Sequence, residues 1–116
     1  MHKVFCYGTL KFGFGNNDLL QNSEFVGKAE TLPVFTMISM GWFPACLPDG
    51  DRIIKGEVYK VDDDVLEDLD RLEGHPSFYK RIMVNTNLGD SWMYVLNRLD
   101  YSSNSPVIES GEWSKK

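Results

Sequence analysis

Two cysteines and two histidines are all the thiol and imidazole chemistry in this sequence of 116 residues. Cys6 stands inside an apolar run and Cys46 in Phe43-Pro44-Ala45-Cys46, so they make no disulfide framework and read as buried thiols. A zinc site would have to be gathered from His2, Cys6, Cys46 and His75 with no short-spaced ligand pair, so no metal is expected. Positive charge is scarce too: 12 Lys and Arg face 17 Asp and Glu, for a net charge of -5. A phosphate-backbone partner needs a Lys/Arg surface that releases counterions, which argues against nucleic acid and leaves Lys115-Lys116 as a solvated tail. Apolar runs break within a handful of residues, short of the roughly 20 that cross a bilayer. Met1-His2-Lys3-Val4 enters a strand-like run without a signal-peptide core. The expectation is a soluble, cytoplasmic protein with no membrane partner. Nucleotide cradles are missing as well. No Gly-Lys-Ser/Thr occurs, and after Gly13 and Gly15 the third glycine of G-x-G-x-x-G is replaced by Asp18.

What is present fits one domain over residues 1–116, with 42% hydrophobic residues for one core and no repeat or linker. Residues 3–7 form an unbroken β-prone run of the kind buried on both faces, ended by Gly8. Asn16 or Asn17 is placed to cap a short helical turn through Asp18-Leu19-Leu20. Extended segments follow at 25–31 and 34–40, then an aromatic loop at Trp42-Phe43-Pro44. Pro48-Asp49-Gly50 reads as a turn leading into a strand from about residue 52 to 61, with Gly56 marking a bulge or a close approach. The clearest helix spans 62–74: aspartates crowd its start, Asp64 and Glu67 have capping-box spacing, and Gly74 and Pro76 stop it. A hairpin of 79–86 and 91–96 follows, then a polar loop at 102–106, Val107-Ile108 and a Trp113 expected to pack back on the sheet. Several strands with one real helix and hairpin-length connections predict an α+β domain around a mixed or barrel-like sheet.

Two features carry chemistry. Glu73 lies four residues after Leu69 and seven after Leu66, on the face those leucines bury. Desolvation and the negative end of the helix dipole both disfavour its carboxylate, raising the pKa toward neutrality and suiting the group to exchange a proton. The competing reading is an exposed carboxylate at a frayed helix end, paired with Arg71, Lys80 or Arg81. Tyr7-Gly8-Thr9-Leu10 follows a strand, and successive N–H groups in such a turn can make a nest for a carboxylate or oxyanion; alone this is a weak signal, because a strand-ending glycine is more often only a turn. Trp42, Phe43, Tyr79 and Tyr94 are candidate pocket walls, about two of which should touch a ligand. Cys6 as a nucleophile would need an exposed thiol and a base, neither of which an apolar strand offers.

Taken in order, Val4-Phe5-Cys6-Tyr7-Gly8-Thr9-Leu10-Lys11, Gly15-Asn16-Asn17 with Leu19-Leu20, Phe43-Pro44-Ala45, Gly56-Glu57-Val58-Tyr59, Leu69-Asp70-Arg71-Leu72-Glu73-Gly74 with Pro76, Tyr79 and Arg81, and Ser110-Gly111-Glu112-Trp113 resemble the γ-glutamylcyclotransferase-like superfamily. The γ-glutamylamine cyclotransferase and AIG2-like branch is the nearest. The resemblance implies a small mixed β-barrel with flanking helices, substrate binding by Tyr7, Gly8, Thr9, Leu10 and Tyr79, and Glu73 as the catalytic acid and base. It implies a γ-glutamyl small molecule as partner and no cofactor, the substrate closing to 5-oxoproline as an amine leaves. The alternatives are a non-catalytic binding module that keeps the cavity and, last, a thiol-dependent hydrolase using Cys6.

Overall fold

A computed structural model describes residues 1–96 and 105–114. Residues 102–104 of the polar loop and the Lys115-Lys116 tail lie outside the described residues. Along the chain come β1 (His2–Cys6), a single 3-10 turn (Asn17–Leu20), β2 (Glu24–Glu30), β3 (Phe35–Ser39), β4 (Pro44–Arg52), β5 (Lys55–Val61), α1 (Asp63–Glu73), β6 (Tyr79–Thr86) and β7 (Gly89–Leu96). Five strands form a mixed sheet in the order β2-β5-β1-β7-β6, and β3 pairs with β4 in a separate ribbon. β1 lies at the centre, antiparallel to β5 and parallel to β7.

That central position explains the continuous apolar run. Val4 and Cys6 enter one core cluster with Leu66 and Leu69 of α1, whereas Phe5 and Tyr7 enter another with Met37, Ile54, Val58 and Met93. Alternate side chains point to opposite faces, so a strand covered on both sides needs apolar residues at every step. Trp113 packs against the second cluster. Gly56 marks a close approach, since a Cβ there would stand 2.3 Å from the Cys6 carbonyl oxygen; the bulge lies instead at residues 25–27 of β2.

Four expectations are corrected. Just past β2, Thr31 makes one isolated bridge to Thr86 of β6, and no ladder joins these outer strands among the described residues, so the sheet does not close into a barrel. One α-helix and a 3-10 turn stand where flanking helices were expected among the described residues. Pro48-Asp49-Gly50 does not separate two strands: it bulges out within β4, whose register jumps from Thr36–Leu47 to Phe35–Arg52. Thr36 Oγ1 holds the bulge by donating to the Asp49 carbonyl at 2.8 Å. Arg52 therefore ends β4, and β5 starts at Lys55. The helix cap shifts as well, because Asp62, not Asp64, takes the N-cap position and accepts the Val65 N–H at 2.8 Å. Gly74 ends α1 at φ 69°, the left-handed conformation that glycine adopts without a Cβ clash.

Candidate functional site

The residues that leave β1 and the residues that end α1 face one recess. Beyond Cys6 the chain folds through Tyr7-Gly8-Thr9-Leu10, and these residues, with Leu72 and Glu73 of α1, line a cavity of about 350 Å³. Tyr79 of β6, Tyr94 of β7 and the Trp42-Phe43-Pro44 segment complete most of its wall. It is not the most voluminous recess, because about 910 Å³ lies between Phe14, Trp42 and the segment from Pro106 to Ser114.

The turn is held from behind. Asn16 donates its side-chain amide to Thr9 Oγ1 at 2.8 Å and its backbone N–H to the Thr9 carbonyl at 3.0 Å. Asn17 donates to the Leu10 carbonyl at 2.7 Å and the Tyr59 hydroxyl at 3.2 Å. Asn16 does occupy the cap position of the 3-10 turn, but its side chain makes no capping bond there. Both amides serve the 7–10 turn instead. Among the described residues the N–H groups of Gly8, Thr9 and Leu10 have no hydrogen-bond acceptor. A Cβ on Gly8 would stand 2.9 Å from the Pro44 ring, so the approach this glycine permits is that of the opposite wall.

Glu73 is half-buried, and burial raises its pKa from 4.5 to about 7. Removal from water is the whole cause: neither a cation nor a hydrogen-bond donor among the described residues offsets it. The basic residues named as competing partners are engaged or turned outward, Arg71 on Asp68, Arg81 on Asp70, and Lys80 exposed. Of the apolar residues of α1, Leu66 and Leu69 are buried, whereas Leu72 is 42% exposed at the cavity.

Tyr7 and Tyr79 give their hydroxyls to the scaffold. Tyr7 donates to the Tyr94 carbonyl at 2.6 Å, and Tyr79 donates to the Pro44 carbonyl at 2.8 Å. Burial, then the negative potential of nearby groups including Glu73, pushes both phenols up, so they stay protonated. Cys6 reaches the wall but is 2% exposed, and burial followed by the charges of Glu73 and Glu57 pushes its thiol well above the ordinary range. That environment suppresses the thiolate a nucleophile requires. No group of three or more potential metal ligands occurs among the described residues.

The sequence matches the family described as γ-glutamyl cyclotransferase, AIG2-like, over residues 4–115. The chain belongs to this family. Among relatives, the γ-glutamylcyclotransferase family protein YtfP of Escherichia coli K12 is 32% identical over 111 residues, covering 96% of this chain and 95% of its own. The solution structure of YtfP from Escherichia coli superposes with a TM-score of 0.76 at the same identity and coverage. The crystal structure of an AIG2-like protein from Mus musculus gives a TM-score of 0.77 at 27% identity, covering 95% of this chain and 87% of that one. Family members thus share the mixed α+β architecture with its strand-rich sheet.

All four candidate aromatics, Trp42, Phe43, Tyr79 and Tyr94, line the cavity. Asn16 and Phe78 also line it and were not singled out as such from sequence. Asn16 had a local signal, an amide seven residues beyond Thr9, which capping preference masked. Phe78 had none, since one aromatic between Ser77 and Tyr79 carries no periodicity.

Proposed function

We propose that this family member is a γ-glutamylamine cyclotransferase, with Glu73 as general acid and base and residues 7–10 as the cradle for the glutamyl group. The observation that carries the reading is the Glu73 carboxyl, half-buried without a compensating partner and poised at about 7, on the cavity it shares with an N–H-bearing turn. Glu73 takes a proton from the substrate's α-ammonium. The freed amine attacks its own γ-carbonyl, and the developing oxyanion is held by the turn N–H groups. Attack closes the five-membered ring, and collapse breaks the bond to the departing nitrogen as Glu73 delivers its proton there; the ring nitrogen passes its extra proton to the released amine, leaving 5-oxoproline and an ammonium ion. Holding the substrate folded supplies much of the rate, because intramolecular attack is limited by the population of the reactive conformer. The reaction needs no cofactor and no covalent intermediate on the protein.

The name of the YtfP relative supports a cyclotransferase-type enzyme acting on a small γ-glutamyl substrate. Among the described residues that line the cavity there is no Lys or Arg to pair with the carboxylate of a leaving amino acid, which supports an amine as leaving group. No helix among the described residues is long and apolar enough to cross a membrane.

The test is a panel of γ-glutamyl amines, γ-glutamyl amino acids and glutathione with 5-oxoproline as the readout. The amines are expected to turn over fastest, and Glu73→Gln to bind them without turnover. Absence of 5-oxoproline from the whole panel would leave a binding module in place of an enzyme.

A further inference from the structure

Tyr94 is tied at its two ends to the two halves of the candidate site. Its hydroxyl donates to Asp70 Oδ1 at 2.6 Å, and Asp70 lies on α1 three residues before Glu73. Its main-chain carbonyl accepts the hydroxyl of Tyr7, the first residue of the 7–10 turn, at 2.6 Å. The Tyr7 oxygen in turn accepts the Cys46 N–H at 3.1 Å, which anchors that end to β4.

The helix end is locked from the neighbouring strand. Arg81, the cross-strand partner of Tyr94 in the β6–β7 ladder, donates through Nε to Asp70 Oδ1 at 2.8 Å and through Nη2 to Oδ2 at 3.0 Å. Its guanidinium lies over the Trp92 ring, 4.4 Å from the centroid. The Arg81 N–H donates to His75 Nδ1 at 3.1 Å, and the His75 N–H donates to the Asp70 carbonyl at 2.9 Å, so the chain just past Glu73 is held as well. Burial would raise the Asp70 pKa, but the bonds from Arg81 and Tyr94 outweigh it and hold the carboxyl below its ordinary value. Asp70 is therefore ionised at neutral pH and the bidentate pair persists. Swinging the last turn of α1 outward requires these bonds to break together.

We propose that Tyr94 is a positioning residue, a strut that sets the separation between the Glu73 carboxyl and the 7–10 turn, with Asp70 and Arg81 locking its helix end. The proposal rests on the cyclotransferase reading for its kinetic consequence but not for its geometry. Tyr94→Phe isolates it: one oxygen is lost, while the ring in the cavity wall and the carbonyl that accepts from Tyr7 remain. Misplacing a reacting group by about 1 Å can cost on the order of 100-fold in rate. In Tyr94→Phe, kcat is expected to fall at least about tenfold with KM within about twofold of wild type.

The second readout needs no turnover. Titration of the Glu73 side-chain carboxyl, followed by carbon-13 NMR, should move from about 7 in the wild type toward an ordinary glutamate as the freed helix end rehydrates. The titratable groups that feel the Glu73 charge are Cys6 on β1, Tyr7 in the turn, Tyr79 on β6 and Tyr94 on β7. Burial is the leading cause that keeps all four protonated through this range, so the transition belongs to Glu73. Asp70→Asn, which keeps an oxygen acceptor for Tyr94 but breaks the Arg81 fork, should show part of the same effect. Should Tyr94→Phe fail to fold, Arg81→Lys keeps the charge, loses the fork and is read by the same two measurements.

A folded Tyr94→Phe with wild-type kcat and wild-type Glu73 titration overturns the strut and leaves a cross-link that contributes to stability alone. Wild-type protein that forms no 5-oxoproline refutes the cyclotransferase reading instead. The titration shift then supports the strut if present and overturns it if absent.

Discussion

A carboxyl that loses water without gaining a cation pulls against the fold whenever it is ionised, and Glu73 is such a group. Its folded pKa of about 7 exceeds the ordinary 4.5, so between these values the native state holds the proton more tightly than the unfolded chain. Stability from Glu73 is therefore present below about pH 4.5 and lost as pH rises through about 7. The loss is up to about 3 kcal/mol. Glu73→Gln, which cannot ionise, should be more stable than wild type at pH 8 and close to it at pH 4, as denaturant melts at both pH values would show. If Glu73 is the base, activity at limiting substrate has an acidic limb near pH 7 that disappears from any residual rate of Glu73→Gln. The same limb in both proteins would remove Glu73 from the mechanism. Cys6→Ala should retain wild-type kcat in its folded fraction, because the thiol is buried and its thiolate disfavoured. Spacing made the position of Glu73 legible: four residues after Leu69 and seven after Leu66 is one helix face. The partners of Asn16 and Asn17 were not, since a side-chain amide serves a local cap or a distant carbonyl equally well until the loop around it is folded.

At the scale of elements, α1 shows which signals survive folding. Its aspartate-rich start, its buried Leu66 and Leu69 and its Gly74 stop were readable, because each acts within one or two turns of its own sequence. The cap was misassigned by two residues, since Asp62, Asp63 and Asp64 all have the right chemistry and only the path out of β5 selects which of them is extended; Asp62 is, at ψ 179°. Asp62→Ala should consequently cost about 1 kcal/mol, and Asp64→Ala close to nothing. Thermal melts of the two variants at one pH distinguish them, and equal costs would contradict the cap. In β4 the Pro48-Asp49-Gly50 signal is real as local geometry. It makes a bulge rather than a hairpin because Thr36 and Phe35 of β3 pair on both sides of it, at Leu47 and Arg52. A turn propensity reports how the backbone bends, not whether the partner strand continues past the bend.

Across the molecule, residues 105–114 connect the parts. The Ser39 N–H donates to the Pro106 carbonyl and the Ile108 N–H to the Met37 carbonyl, at 2.9 and 2.8 Å, while the Lys55 N–H donates to the Gly111 carbonyl at 2.9 Å. Lys11 Nζ donates to the Trp113 carbonyl at 2.5 Å, bringing in the loop that follows the 7–10 turn. Trp113 is half-buried against the core outside the candidate site, so Trp113→Ala should cost about 2 kcal/mol and lower Tm by roughly 8 °C. The kcat of the folded fraction should be unchanged, and a selective loss of turnover would show that this segment shapes the cavity as well. By itself the sequence determined the strand-rich α+β class, the helix and its apolar face, the final hairpin and the family resemblance. Each rests on periodicity, on short-range backbone chemistry or on an ordered set of motifs. The meeting of Glu73 with a turn more than sixty residues away was implied by the resemblance alone, whereas closure of the sheet, the bulge in β4 and the pairing of Asp70 with Arg81 and Tyr94 were decided only in three dimensions. Register, burial and hydrogen-bond partners at that separation are set by packing, because a residue type limits which bonds it can make but not which distant neighbour arrives to make them.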